Sequence, residues 1–112
     1  MAEALDISSA LRRGTLEFCV LALVEHEDRY GPEIVQRLAA ERLVISEGTL
    51  YPLLSRLRRS GWVNTTWQES ASGPPRRYYS LAEAGRRALH DFRAEWNGFR
   101  DAVDRITGLD AR

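Results

Sequence analysis

The stretch SEGTLYPLLSRLRRSGWV, residues 46–63, decides how the rest of the chain is read. Leu50, Leu53, Leu54 and Leu57 fall at i, i+3, i+4 and i+7, within a wedge of about 100° on a helix. Ser46 is placed to cap that helix and Gly61 to close it. Opposite the leucines stand Gly48, Pro52, Ser55 and Arg59, flanked by Thr49, Tyr51, Arg56 and Arg58. Proline inside a helix removes an N–H and crowds the i−4 carbonyl. If regular helix begins near Thr49, however, Pro52 falls in the first turn, where the missing donor matters little. The stretch therefore predicts an apolar back, a leading end of small and hydroxylated side chains, and a basic far end.

Upstream, TLEFCVLALVE (residues 15–25) predicts a helix capped by Thr15, with Leu16, Cys19, Val20 and Leu23 on one face. GPEIVQRLAAER follows a polar connector and predicts a second helix, with Gly31 as cap, Pro32 in its first turn, and Ile34, Val35, Leu38 and Ala39 inward. LVI (residues 43–45) suits only a short strand. Downstream, WVNTTWQE alternates in the manner of a strand, with Val63, Thr65 and Trp67 on one face. RRYYSL returns as a second strand, with Arg77, Tyr79 and Leu81 on one face and Arg76, Tyr78 and Ser80 on the other. Together they predict a hairpin with a Gly-Pro-Pro tip.

From Glu83 the pattern is helical to about Ile106. Leu89, Phe92, Trp96, Phe99, Val103 and Ile106 are spaced 3, 4, 3, 4, 3, a heptad seam that requires a partner helix. A second copy of the chain is the simplest partner, so these six residues form the expected dimer interface. Gly98 is unfavourable mid-helix by about 1 kcal/mol and is expected to relieve crowding beside Trp96 or to permit a bend.

The totals limit the function classes. A chain of 112 residues suits one compact core, and 44% hydrophobic with 29% charged residues reads as soluble and globular. No apolar run approaches the roughly 20 residues that span a bilayer, and residues 1–14 lack the order of a secretory signal, so a cytoplasmic protein is expected. Cys19 is the only cysteine, which excludes an intrachain disulfide and a cysteine-based zinc site; its apolar run predicts a buried, inert thiol. His26 and His90 lie on separate predicted helices, and no nucleophile, phosphate-loop or metal motif occurs. Neither enzyme activity, nor a cofactor, nor a metal is expected.

Charge is informative only in its distribution. The net charge is zero, yet residues 46–82 hold five arginines against two carboxylates, whereas residues 1–45 hold five against eight. The positive middle third coincides with the basic helix and the basic hairpin. Helix, helix, strand, helix and hairpin is the order of a winged helix-turn-helix. The fold expected is thus mainly α within an α+β class, with a two-stranded wing and a long C-terminal dimerisation helix. Small residues at the leading end of the third helix let the backbone approach base edges, while arginines at its far end and in the wing meet phosphates. Arg56, Arg58 and Arg59 alone would also fit an ordinary solvated face; it is their combination with Arg76 and Arg77 that points to double-stranded DNA.

YGPEIVQRL, SEGTLYPLLSRLRRSGWV and GPPRRYYSLAEAGRRAL resemble the motifs of the PadR family of bacterial transcription regulators, which run close to YGYEI, SEGTLYPALxRLExxGL and GxxRRYYxLTexG. The resemblance covers roughly residues 11–100, in the right order. It implies a DNA-binding domain at residues 1–82 and a C-terminal dimerisation helix with a short tail at residues 83–112, as in the short members of the family. Carried onto this chain, it implies DNA contact by Tyr30, by Ser46, Glu47, Gly48, Thr49, Tyr51, Pro52, Ser55 and the three arginines of the third helix, and by Pro75, Arg76, Arg77 and Tyr78 of the wing.

The resemblance further implies a homodimeric repressor on a pseudo-palindromic operator, released by a small hydrophobic or aromatic effector. In some short members an aromatic of the last helix lines a cavity at the dimer interface, which points here to Phe92, Trp96 and Phe99. Two departures stand out. Pro32 replaces an aromatic of the family pattern, and Ala82 replaces the threonine that opens the last helix, which predicts a weakly capped start costing about 1 kcal/mol. The competing reading, favoured by the net neutrality, is a winged-helix protein-interaction module without DNA binding.

Overall fold

The structure, a computed structural model, describes residues 7–43 and 46–109. Five helices and three strands follow in the order α1 (Ile7–Arg12), α2 (Leu16–Leu23), β1 (Arg29–Tyr30), α3 (Gly31–Ala40), α4 (Glu47–Arg59), β2 (Val63–Ser70), β3 (Gly73–Leu81) and α5 (Glu83–Thr107). The strands form one antiparallel sheet in the order β1-β3-β2. The architecture is the expected α+β winged helix, with the wing formed by β2 and β3.

All four leucines of the opening stretch are buried, Leu50 and Leu54 completely. Each fully buried leucine contributes about 1.5–3 kcal/mol relative to an exposed one, which makes α4 the centre of the core. Ile34 and Leu38 of α3 and Val63 and Tyr79 of the wing close on it. On α2 the buried set is Leu16, Val20 and Leu21, joined by the C-cap Val24, while Cys19 and Leu23 are only partly buried. The buried face is rotated from the expected one because LEFCVLAL is apolar all round, so periodicity selects no side. The outer side of α2 is covered by α5, where Phe92 stacks on Phe18 at 4.6 Å between ring centroids.

Helix ends depart from expectation in several places. Thr15 makes no side-chain cap, and Tyr30, not Gly31, is the N-cap of α3. There the Glu33 carboxylate accepts a hydrogen bond of 2.8 Å from the Tyr30 N–H. At its other end α3 closes through Arg42 in the left-handed region (φ 61°), with Leu43 N–H bonded to the Leu38 carbonyl at 2.8 Å. Gly61 (φ 79°) closes α4 in the same way, with the Trp62 N–H bonded to the Leu57 carbonyl at 3.0 Å, as the sequence predicts. Val44 and Ile45 of the expected short strand lie outside the described residues; among the described residues the short strand that pairs with the wing is Arg29–Tyr30.

The hairpin tip is also shifted. Ala71 and Ser72 make the turn, and Gly73, Pro74 and Pro75 open β3. The register slips nearby: Gln68 pairs with Arg76 but Ser70 with Gly73. Prolines have no N–H for a ladder, and they sit where the ladder is irregular.

α5 spans 25 residues, about 37 Å at 1.5 Å per residue. Ala82 gives it no side-chain cap, as expected, yet its start is anchored by the Ala82 N–H, which donates to the Trp62 carbonyl at 3.0 Å. Leu89 belongs to the same core as α2, α3 and α4. A leucine 2% exposed has no surface left for a second chain, so Leu89 is removed from the expected dimer seam. One turn later Arg93 donates two hydrogen bonds to the Glu25 carboxylate, at 3.0 and 3.1 Å. That fork, first through its hydrogen bonds, holds the Glu25 carboxyl below the ordinary carboxylate range. Beyond it α5 leaves the core: Phe99, Val103 and Ile106 are exposed. Gly98 relieves no crowding within the protomer, since a side chain there would meet nothing within 4 Å. No described helix is long and apolar enough to cross a membrane.

Candidate nucleic-acid interface

The leading end of α4 is built as the sequence suggests. Ser46 is the N-cap: its Oγ accepts from the Thr49 N–H at 3.3 Å, and the two hydroxyls are 3.3 Å apart. Because the cap fixes the start at Glu47, Pro52 is the sixth helical residue and lies beyond the first turn. It therefore does remove a bond, the one its N–H would give to the Gly48 carbonyl. Its ring is exposed and points away from the leucines. A side chain added at Gly48 would approach nothing closer than Ser46 Oγ at 3.6 Å. Nothing inside the protomer requires glycine there, which leaves the outer surface as the place where close approach matters.

The arginines of α4 divide. Arg56 reaches back to Glu17 of α2 at 3.2 Å and is tied to the protein itself. Arg58 and Arg59 are exposed and make no ion pair with any other described residue. Ser55 is half-buried. The basic far end thus consists of two outward guanidiniums, with the third holding α4 against α2.

Tyr51 is half-buried on the flank of α4. Its ring is seated on Gly31, where an added Cβ would lie 3.0 Å from both Cε1 and the hydroxyl oxygen. Burial, and then the Glu47 carboxylate, push its phenol above the ordinary value, so it remains a neutral hydroxyl able to donate. It faces a cleft of about 410 Å³ between α4 and the wing. Tyr30, Gly31 and Pro32 line one wall; Trp67, Arg77 and Tyr79 line the other. Replacing Gly31 with valine is expected to dislodge Tyr51 at a cost of roughly 1–3 kcal/mol, the usual range for overpacking. DNA affinity should fall with it. Because Tyr51 itself packs on the core, the test is a double-mutant cycle: Gly31→Val should cost much less in the Tyr51→Ala background than in wild type, and an equal cost in both would disprove the seating.

The two wing arginines leave opposite faces of β3. Arg77 stacks on Trp67, its guanidinium carbon 4.8 Å from the ring centroid, and Arg76 stacks on Tyr30 at 4.7 Å. Tyr30 is itself tilted against Tyr78 at 5.8 Å. Pro75 is exposed on the same strand. The structure therefore brings Tyr30, Tyr51 and Arg77 around one cleft, with Tyr51 as the residue of α4 that lines it. Trp67 completes it and is not among the residues to which the sequence points. The signal is present in the strand parity, since Trp67 and Arg77 are cross-strand partners, but a tip placed at Gly-Pro-Pro leaves the register open.

A second concavity lies on the far side. Phe92, Trp96, Phe99, Glu95 and Val103 of α5, with Ala10, Leu11, Arg13, Gly14 and Thr15 around the α1–α2 joint, line a groove of about 520 Å³. The aromatics form a ladder, with Phe92–Trp96 centroids at 5.3 Å and Trp96–Phe99 at 6.3 Å. The three residues expected to line an effector cavity are thus adjacent, although Phe92 spends one face on Phe18. Cys19 is partly buried, and burial raises its thiol, in keeping with an inert side chain.

Known proteins share this fold. A PadR-like transcription factor from Bacteroides fragilis is 39% identical, over 91% of this chain and 99% of its own, with a TM-score of 0.74. A PadR family transcriptional regulator from Eggerthella lenta is 35% identical over 95% of this chain and 91% of its own, with a TM-score of 0.80. Bacillus subtilis PadR in complex with operator DNA shares the fold at 20% identity, over 70% of this chain and 46% of its own, with a TM-score of 0.64. The family described as "Transcriptional regulator PadR-like family" matches residues 20–91, well over half of the sequence, and the chain belongs to that family.

Proposed function

We propose that this regulator binds double-stranded DNA as a homodimer, with the leading end of α4 in the major groove and the wing along the backbone. The observation that carries the proposal is the convergence of three features: a capped, small-residue start to α4, two outward arginines at its far end, and two ring-held arginines on the wing. Base edges are read by side chains on the first turns of such a helix, and guanidiniums beside it fix register through phosphates. The fold shared with a protein solved on its operator supports the same docking. Cytoplasmic action fits this role.

The exposed outer half of α5 supports pairing with a second copy through Phe92, Trp96, Phe99, Val103 and Ile106. The aromatic groove on this face supports a small, flat hydrophobic effector, and repression relieved by that effector is the regulatory mode proposed. Selection of bound sequences from random DNA tests the core of the proposal. Two half-sites about one helical turn apart, roughly 34 Å, are the expected outcome. Enrichment of single unpaired half-sites would refute the dimer, and absence of any enrichment would refute DNA recognition and favour a protein-interaction module.

A further inference from the structure

Arg77 and Trp67 are Cα partners across β2 and β3. Trp67 has no packing reason to be an indole. It is 64% exposed, while Val63 and Tyr79 of the same sheet face close the core without it. Its aromatic face is taken by the Arg77 guanidinium at 4.8 Å. Arg77 Nε, for its part, is buried and has no acceptor among the described residues. A guanidinium presents its donors in the plane of the group, so a ring stacked on one face leaves the two terminal amino groups, which are not buried as Nε is, free to donate.

We infer that Trp67 is a positioning residue for Arg77: it holds the guanidinium in the wall of the cleft it shares with Tyr51, with the terminal amino groups, not the buried Nε, offered to an anionic oxygen supplied from outside. The inference rests on the DNA-binding proposal, under which that oxygen belongs to a backbone phosphate of the duplex. A long side chain ordered before contact loses less rotamer freedom on binding than a free one. Trp67 is uncharged, so it acts on affinity without altering the number of phosphates neutralised. Arg77 acts on both. Arg76 is held by a different ring, Tyr30, on the opposite face of β3, so the two arginines respond separately to removal of the Trp67 ring.

The experiment compares wild type, Arg77→Ala, Trp67→Leu, Trp67→Phe and the double variant Trp67→Leu/Arg77→Ala on one duplex over a salt series. Arg77→Ala is expected to weaken binding and to flatten the log affinity against log salt plot by about 0.9 for each phosphate it ceases to neutralise. Trp67→Leu is expected to lose roughly two- to fivefold in affinity per bound protomer, the range of an exposed cation–π pair, with the wild-type slope retained. Trp67→Phe keeps a ring face and should restore most of that loss. In the Arg77→Ala background Trp67→Leu should do nothing further, since the interaction it serves is gone.

Melting midpoints of the Trp67 variants should match wild type, which separates positioning from unfolding. Additive losses in the double variant, or leucine and phenylalanine behaving alike, would overturn the positioning role. Wild-type binding by Arg77→Ala would overturn the inference while leaving DNA binding intact. Failure of the wild-type protein to bind at low salt would remove the DNA-binding proposal, and the inference with it.

Discussion

Gly85→Ala is expected to destabilise the protein by about 2 kcal/mol net, although alanine is the better helix former. The sign is set by two opposing effects. In an open helix alanine gains about 1 kcal/mol over glycine. At Gly85, the third residue of α5, an added Cβ would overlap the Trp62 carbonyl oxygen and stand 2.9 Å from both the Trp62 carbonyl carbon and Leu81 Cδ1. Backbone cannot swing aside as a side-chain tip does, and overpacking of this kind costs up to about 3 kcal/mol or more. The same carbonyl is where α5 is fastened, since the neighbouring Ala82 N–H donates to it at 3.0 Å. Relieving the clash therefore loosens the helix at its root. The midpoint of thermal unfolding should fall by roughly 10 °C for a domain of this size. Gly98→Ala is the internal control: it lies on the same helix with open space around it, and it should gain stability. An unchanged or higher midpoint for Gly85→Ala would show that α5 does not sit on Trp62 as described.

How much of this is legible in the sequence depends on how one-sided each segment is. On α4 the leucines alternate with polar residues, so the helical period selects a single face, and all four predicted core positions are buried. On α2 nearly every position is apolar, and only long-range packing against the rest of the core decides that Leu21, and Val24 at the helix end, are fully buried and Cys19 is not. The wing is recognisable from its alternation, but its tip lies at Ala71–Ser72 and not at Gly-Pro-Pro, because two consecutive prolines can open a strand where the ladder is already irregular. The same kind of gap affects the interface. Residue type and helical angle identify the outward face of α4, yet neither says that Arg56 is bound to Glu17 or that Leu89 is consumed by the core. Those facts are contacts between segments far apart in the sequence. Gly85 stands within a recognisable motif, but only the fold brings the Trp62 carbonyl against it and so explains why it is glycine.

The strongest functional prediction concerns salt, because net charge and local charge disagree. A chain with 16 basic and 16 acidic residues has no overall attraction for DNA. Counterion release, however, depends on the phosphates neutralised at the interface and not on the net charge of the whole chain. Each protomer offers Arg58 and Arg59 on α4 and Arg76 and Arg77 on the wing, while Arg56 is occupied by Glu17. A dimer engaging most of these would neutralise about 6–8 phosphates, so affinity for its operator is expected to fall roughly a thousandfold or more between 50 and 200 mM salt. The carboxylates that cancel the charge lie mostly elsewhere: residues 1–45 and 83–112 hold all but Glu47 and Glu69. Some of these still reach the arginine-bearing surface, Glu17 at Arg56 and Glu33 at the Tyr30 N–H, but none forms an ion pair with Arg58, Arg59, Arg76 or Arg77 among the described residues. Arg58→Ala and Arg59→Ala should each flatten the slope by about 0.9 for every phosphate left without its arginine, whereas Arg56→Ala should cost stability and leave the slope unchanged. The affinity of a protein-interaction module for DNA would show neither the steep slope nor this division. A flat salt response from the wild-type protein would therefore discard the phosphate-contact account of all four arginines at once, whereas an equal slope change from Arg56→Ala would discard only the assignment of that residue to α2.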